Sequence, residues 1–187
     1  MAGQEVERGV DDLVDRARNG DQTAFSELVR IHQHEVFTLA LRLVGDRTLA
    51  ADVAQEAMLR AWKAISRFRG DAAFGTWLHR ITVNAAWTQK TRARRHQSQD
   101  LDLVAEQPET DVRASPESAG ERAELRSVLK AALNRLPEQQ RAVVVLKDIY
   151  GWSHKDISDS LSISVPAAKV RLHRAHLRLR DLLKEAS

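Results

Sequence analysis

Three residues, Ser162-Ile163-Ser164, constrain this chain more than any others, because they separate two helical patterns by little more than a sharp turn. Before them, His154–Leu161 places Ile157 and Leu161 at i, i+4, which gives a short helix one buried side. After them, Ser164 has the side chain of an N-cap, and Pro166 falls in the first turn, where its missing N–H does no harm. Val165, Ala168, Leu172, Ala175 and Leu179 then recur as an apolar stripe, while Lys169, Arg171, His173, Arg174, His176, Arg178 and Arg180 run along the same helix. Two helices across a tight turn, the second strongly basic, form the helix-turn-helix pattern. In that pattern the second helix enters the DNA major groove and its flanks hold phosphates. The plainer alternative is a basic amphipathic helix with a solvated charged face. The buried helix ahead of the turn and the few acids among the cations weigh against it.

A chain of 187 residues suits one or two small domains. Its hydrophobic content of 43% is enough for packed cores, and with aromatics at only 5% those cores are aliphatic and alanine-rich. Net charge is only +3, so where the charge sits matters more than its sum. Basic residues concentrate in Arg80–Arg95 and Lys169–Lys184, and acidic ones in Asp100–Glu121. Two basic patches around an acidic stretch point to two contacts with a polyanion. The absence of cysteine excludes disulfides, thiolate zinc sites and thiol redox switching. No apolar run approaches the roughly 20 residues that span a bilayer. Met1 to Val10 is polar and lacks a signal-peptide core, so a soluble intracellular protein is expected.

Taken in order, residues 1–10 read as a tail and Asp11–Arg18 as a short helix stopped by Asn19-Gly20. Asp21 caps the next helix, where Phe25, Leu28, Val29, His32, Val36, Ala40 and Leu43 mark one apolar face as far as Gly45. A third helix, Thr48 to Ser66, carries Leu49, Val53, Ala57, Ala61 and Ile65 inward and Asp52, Gln55, Glu56 and Arg60 outward. That outer cluster is either an ordinary solvated face or a dock for arginines, which bond carboxylates strongly. Arg67–Phe74 reads as a loop with Arg67, Phe68, Arg69 and Phe74 around a Gly70-Asp71 turn. The fourth helix runs from Trp77 to about Arg95, with Phe74, Leu78, Ile81 and Ala85 as its core stripe.

A second face of that helix bears Trp77, Arg80, Asn84, Trp87 or Thr88, and Thr91, followed by Lys90, Arg92, Arg94 and Arg95. Rings, amides and guanidinium groups together suit single-stranded nucleic acid, although at least one of Trp77 and Trp87 is expected in the core. Loop and helix together are expected to frame a pocket for a base turned out of the duplex. His96 to Gly120 lacks periodicity and reads as an acidic linker. Glu121–Arg135 is helical with Leu125, Val128, Leu129 and Ala132 on one face, and Pro137 starts another helix, Glu138 to Ile149, with Val143, Val144 and Leu146 inside. No strand pattern occurs, so the fold class is all-α, in two small helical domains. The expected division is a tail at 1–10, a first domain at 11–96, a linker at 97–120 and a helix-turn-helix domain at 121–187.

These residues resemble a bacterial family, the extracytoplasmic-function group of RNA polymerase sigma factors. Four segments carry the resemblance in order and spacing: Ala51-Asp52-Val53-Ala54-Gln55-Glu56, Thr76 to Asn84, Leu136-Pro137-Glu138-Gln139-Gln140-Arg141, and Lys169-Val170-Arg171-Leu172-His173-Arg174-Ala175. The resemblance implies that Asp52, Gln55 and Glu56 dock on the clamp helices of the largest subunit of core RNA polymerase. It implies that Arg67, Phe68, Arg69, Phe74, Trp77, Arg80, Asn84, Trp87, Thr88 and Lys90 open and read the minus-ten element, with Trp77 and Asn84 the best matches. It further implies that Lys169, Val170, His173 and Arg174 face bases or phosphates of the minus-thirty-five element, with Ser153 and Arg171 beside the backbone and Ser164 also in contact with that element. The polymerase's second-largest-subunit flap, promoter DNA and an anti-sigma protein are the implied partners, and no cofactor or metal is implied. The linker is expected to thread toward the active-site and RNA-exit channels.

Three departures modify the expectation. Primary sigma factors carry two adjacent tryptophans where this chain has Trp77-Leu78, which implies weaker melting and stricter promoter choice. Ser162 stands where the family often has glycine, at about 1 kcal/mol if that residue is left-handed. The recognition helix begins Val165-Pro166-Ala167-Ala168 rather than Val-Gly-Thr-Val, and an alanine cannot bond a phosphate as the threonine does.

Two rival readings are a dimeric helix-turn-helix regulator that works without polymerase, and an enzyme. The Asp52-Gln55-Glu56 face argues against the first. For the second, His32 and His34 diverge on their helix. His173 and His176 stand at i, i+3 with no carboxylate beyond distant Asp181, and no nucleophile–base pair or phosphate-cradling glycine loop appears. The chain is expected not to be an enzyme by itself.

Overall fold

The computed structural model describes the backbone of residues 2–97 and 120–186, with side chains over 9–89 and 124–186. Within those bounds every regular element is helical. The chain divides into two units, residues 1–101 and 102–187.

The first unit holds α1 (Ala2–Arg18), α2 (Gln22–Val44), α3 (Arg47–Ala64), a 3-10 turn (Ile65–Arg67) and α4 (Phe74–Gln97). Its boundaries follow from local chemistry. Asp21 Oδ1 accepts from the backbone N–H groups of Thr23 and Ala24 at 2.9 and 3.0 Å, capping α2. Its other oxygen meets Arg16 of α1 at 2.6 Å. The Ala24 N–H and the Arg16 guanidinium hold the Asp21 carboxyl below the usual carboxylate range. Gly45 closes α2 in the left-handed region at φ 80, where a side chain would be strained, and Asp46 caps α3 through Leu49 N–H at 2.7 Å.

The core comes from interleaved stripes. Leu28, Val36, Leu39, Ala40 and Leu43 of α2 meet Val53, Ala57 and Ala61 of α3 and Leu78, Val83 and Ala85 of α4, and all are buried. α2 packs on α1, α3 and α4, and α3 packs on α4. Each fully buried leucine contributes about 1.5–3 kcal/mol. Thr82 is also buried, its hydroxyl donating to the Leu78 carbonyl at 2.9 Å. α1 begins at Ala2 rather than Asp11, so the residues expected as a tail are helical. α4 begins at Phe74 rather than Trp77, one turn earlier than expected.

The second unit holds α5 (Gly120–Asn134), α6 (Glu138–Val144), a π-helical turn (Val145–Ile149), α7 (His154–Leu161) and α8 (Val165–Glu185). Ala132, Leu136, Val144, Ala175, Leu179 and Leu182 form one core cluster. Six successive residues, Arg141–Leu146, are buried, which an α-helix permits only where it is wrapped on all sides. The expected α-helix to Ile149 instead widens: Tyr150 N–H bonds to Val145 O at 3.2 Å and Trp152 N–H to Leu146 O at 3.0 Å. Gly151, at φ 68, turns the chain out of that widened end.

α5 departs from expectation in its apolar face. Ala132 is buried, but Leu125 and Leu129 are 66% and 41% exposed. The residues expected as an acidic linker lie, from 98 to 119, outside the described residues.

Candidate functional site

α3 turns Asp52, Gln55 and Glu56 to one exposed side, because residues three and four apart share a helix face. Glu56 accepts from Arg60 Nε at 2.7 Å, an i, i+4 pair with both side chains 33% exposed. Leu59 lies on the same side, is 50% exposed, and was not singled out by sequence. Nothing in a lone leucine within a helical pattern distinguishes an exposed one.

The segment from Arg67 to Thr88 differs from its expected form. Arg67 and Arg69 are exposed on either side of Phe68, just ahead of a turn at Gly70 with φ 77. Phe68, expected to face nucleic acid from the loop, is buried at 8% exposure, and Phe74, expected both in the α4 core stripe and among the minus-ten readers, takes its place in the core at 5%. Their rings lie 5.9 Å apart, edge to face, and reach Trp77 at 5.1 and 5.5 Å. Burial of this aromatic area outweighs exposure of either ring, so both phenylalanines support Trp77. Trp77 itself is half-buried, with Arg80 and Asn84 exposed along the same side of α4. Trp87 and Thr88 are half-buried, and the Thr88 hydroxyl donates to Asn84 O at 2.8 Å. Leu78, in the place of a second tryptophan, is 1% exposed and presents nothing to a ligand. The side chain of Lys90 lies outside the described residues.

A cluster that sequence reasoning missed stands between α2 and α4. His79 Nε2 is 2.9 Å from Glu35 Oε1, and His32 Nδ1 is 3.8 Å from Glu35 Oε2. His32 also packs on the Phe74 ring, centroids 5.3 Å apart. Burial pushes both imidazoles below their usual pKa, with Glu35 opposing and, for His32, neighbouring His79 adding to the fall. Residues so far apart in the chain carry no joint sequence signal.

In the second unit the expected turn forms where the sequence placed it. Ser153 caps α7, its hydroxyl accepting from Asp156 N–H at 3.1 Å and donating to Asp156 Oδ2 at 2.6 Å. Ser162 is left-handed at φ 53, ψ 48, and Ser164 caps α8 through Ala167 N–H at 3.2 Å. Lys169, Val170, His173 and Arg174 are exposed on one side of α8, opposite buried Ala168 and Ala175. Arg171 is half-buried at the flank. His176 Nε2 lies 2.7 Å from Asp148 Oδ2, so its carboxylate neighbour is Asp148 and not Asp181. Among the described residues no three His, Cys, Asp or Glu side chains are grouped to hold a metal ion.

This geometry can do two things. The first unit offers an acid and amide face on α3, and a supported tryptophan with amide and cationic neighbours on α4. The second offers a cationic face on α8, the second helix of the helix-turn-helix.

Comparison with known proteins gives matches to both units. The family model for Sigma-70 region 2 matches residues 28–96, and that for Sigma-70 region 4 matches residues 126–179. The RNA polymerase sigma-H factor of Pseudomonas aeruginosa is 37% identical over 186 residues, covering 93% of this chain and 95% of that protein. The ECF RNA polymerase sigma-E factor of Escherichia coli is 37% identical over 171 residues, covering 87% and 88%. Among solved structures, the sigma factor RpoE bound to the anti-sigma factor NepR from Bartonella quintana aligns with a TM-score of 0.67 and 28% identity, over 86% of this chain and 96% of that one. CnrH in complex with the cytosolic domain of CnrY aligns with a TM-score of 0.60 and 30% identity, over 96% and 99%.

Proposed function

The chain belongs to the extracytoplasmic-function sigma factors, and from that membership we propose how its surfaces divide the work of initiation. It is an alternative sigma factor, binding core RNA polymerase and directing it to particular promoters. Asp52, Gln55 and Glu56 take the polymerase clamp helices, whose arginines find paired acceptors there. Trp77, braced from beneath by Phe68 and Phe74, offers a ring on which an unstacked base of the minus-ten element stacks. Arg67, Arg69, Arg80 and Asn84 flank it, supplying cations and an amide for the strand's phosphates and base edges. Lys169, Val170, His173 and Arg174 enter the major groove at the minus-thirty-five element. Ser153, Ser164 and Arg171 lie alongside the backbone, and the C-terminal unit meets the polymerase flap. The two DNA-reading units correspond to residues 11–96 and 121–187.

One observation carries this reading: exposed Asp52 and Gln55, with Glu56 one-third exposed, share a face of α3 in the same helical unit as the Trp77–Asn84 face. A dimeric regulator acting alone accounts for α8 and leaves the α3 face without a purpose. The chain supplies no chemistry of its own, since the polymerase forms the phosphodiester bond. An anti-sigma protein is a fitting regulator, because one of the aligned structures is a sigma factor captured with an anti-sigma factor. No helix among the described residues is long and apolar enough to cross a membrane.

The test is direct. Purified chain is added to core polymerase with fragmented genomic DNA, and transcript starts are sequenced. Starts that depend on the chain and share an upstream motif are expected; their absence would refute the assignment. Gln55→Ala with Glu56→Lys is expected to abolish polymerase capture, and unaltered capture removes α3 as the dock.

A further inference from the structure

The leading turns of α8 are apolar on the side that its cations share. Pro166 and Val170 stand at i, i+4, and His173 and Arg174 follow Val170 at i+3 and i+4, so the four lie on one helix face. Pro166 and Val170 are exposed there and Ala167 is half-buried. The one hydroxyl beside them, on Ser164, is already engaged as the cap of Ala167 N–H at 3.2 Å. Val170 is 48% exposed, while Ala168 and Ala175 on the other side of the helix are fully buried. Nothing in the folded unit calls for valine at that place, since a β-branched residue is a weaker helix former than alanine or lysine and Val170 fills no core. Lys169, His173 and Arg174 surround it with groups that suit phosphates and polar base edges.

The chemistry of the major groove gives an exposed valine one good partner. Each base pair there presents hydrogen-bond donors and acceptors, and thymine adds a single apolar group, its C5 methyl. An apolar side chain pressed against a donor or acceptor strips its water and returns no bond, which is unfavourable. Pressed against the methyl, it removes two apolar surfaces from water at once. Resting on the assignment of α8 to the minus-thirty-five element, we infer that Val170 is a specificity-determining residue that reads a thymine through its methyl group. Pro166 and Ala167 keep the approach free of competing polar side chains, and the flanking cations hold the helix at the depth the contact needs. Leu177, 39% exposed, lies two turns beyond Val170, about 10 Å further along the axis. Base edges are reached from the N-terminal part of such a helix, so Leu177 is a control and not a second reader.

Uracil in place of thymine tests this, because it pairs alike and lacks the methyl. The probe is a duplex promoter mapped by transcript starts, with each thymine of the minus-thirty-five element replaced in turn and binding measured in holoenzyme. One replacement is expected to weaken wild-type binding about fourfold, the loss of one buried methyl-sized group. Val170→Ala is expected to bind the unmodified promoter about as weakly, and to be indifferent to uracil at that same position, as a shared contact requires. Leu177→Ala is expected to keep the wild-type response to uracil. Val170→Ala removes side-chain surface from an exposed helix position and leaves the core intact, so it is expected to fold. Wild-type holoenzyme indifferent to every replacement overturns the inference, as does a minus-thirty-five element without thymine. A Val170→Ala holoenzyme that loses as much as wild type at the same thymine also overturns it. Arg174→Ala separates this failure from failure of the α8 assignment. If Arg174→Ala weakens promoter binding while uracil has no effect, α8 remains the reader and the methyl contact falls. If Arg174→Ala binds like wild type, the α8 assignment falls, and the inference with it.

Discussion

Asp148 and His176 meet at 2.7 Å, tying the π-helical turn ahead of the helix-turn-helix to the middle of its recognition helix. The contact lies on the surface, with the side chains 42% and 50% exposed, so water and salt screen it. Asp148→Asn is therefore expected to cost the C-terminal unit only about 0.2–1 kcal/mol. Urea unfolding followed through Trp152, which is buried in this unit, measures it. A loss several times larger would mean that the π turn depends on the pair.

Ser162 occupies the left-handed region at φ 53, where an L side chain crowds its own carbonyl. Ser162→Gly is expected to stabilise the C-terminal unit by roughly 0.5–1 kcal/mol, the relief being partly offset by the greater freedom of glycine in the unfolded chain. The same unfolding assay reads it. Minus-thirty-five binding at low temperature is expected to stay as it was, because the turn geometry already fits.

His32 and His79 make the N-terminal unit sensitive to acid. Burial sets both imidazoles below their usual 6.5, so the unfolded chain takes up protons at a higher pH than the native unit does. Stability from this source is complete above 6.5, and is lost as pH falls from there through the folded pKa values. Urea unfolding at about pH 7.5 and about pH 5.5 should show the drop, and a His32→Gln/His79→Gln variant should flatten it. A wild-type unit equally stable at both values would contradict the burial of the pair.

Trp77 rests on Phe68 and Phe74, and its remaining surface is what a base can reach. Trp77→Ala in holoenzyme is expected to weaken capture of a non-template strand by roughly 1–3 kcal/mol, the range for one stacked base. Trp77→Phe should recover some of that loss. Phe74→Ala acts differently: it opens the support and is expected to cost about 3–5 kcal/mol in unfolding free energy. Anisotropy titrations and thermal melts together separate the two roles.

Much of the candidate site was legible because its signals are local. The spacing of Asp52, Gln55 and Glu56 places them on one side of any α-helix, and Lys169, Val170, His173 and Arg174 follow the same rule. The α7 boundaries were legible for the same reason, since Ser153 and the break at Ser162 act within a few residues. Phe68 was misread because an aromatic in a loop looks the same whether it faces a base or fills a gap between helices, whereas the spacing of Phe74 with Leu78 and Ile81 already placed it in a core stripe. For Phe68 only the edge-to-face approach of Phe74 and the contact with Trp77 make inward the cheaper direction.

The sequence alone determined that the regular segments among the described residues are helical, where most of those helices start and stop, and which residues share a helix face. Those properties depend on backbone hydrogen bonding and side chains a turn or less apart. The tertiary structure decided which faces are covered. It buried Phe68 beneath Trp77, left Leu59, Leu125 and Leu129 in water, and brought His32, Glu35 and His79 together. Burial and pairing of that kind depend on what stands opposite in space, and periodicity along one helix says nothing about the surface another helix brings to it.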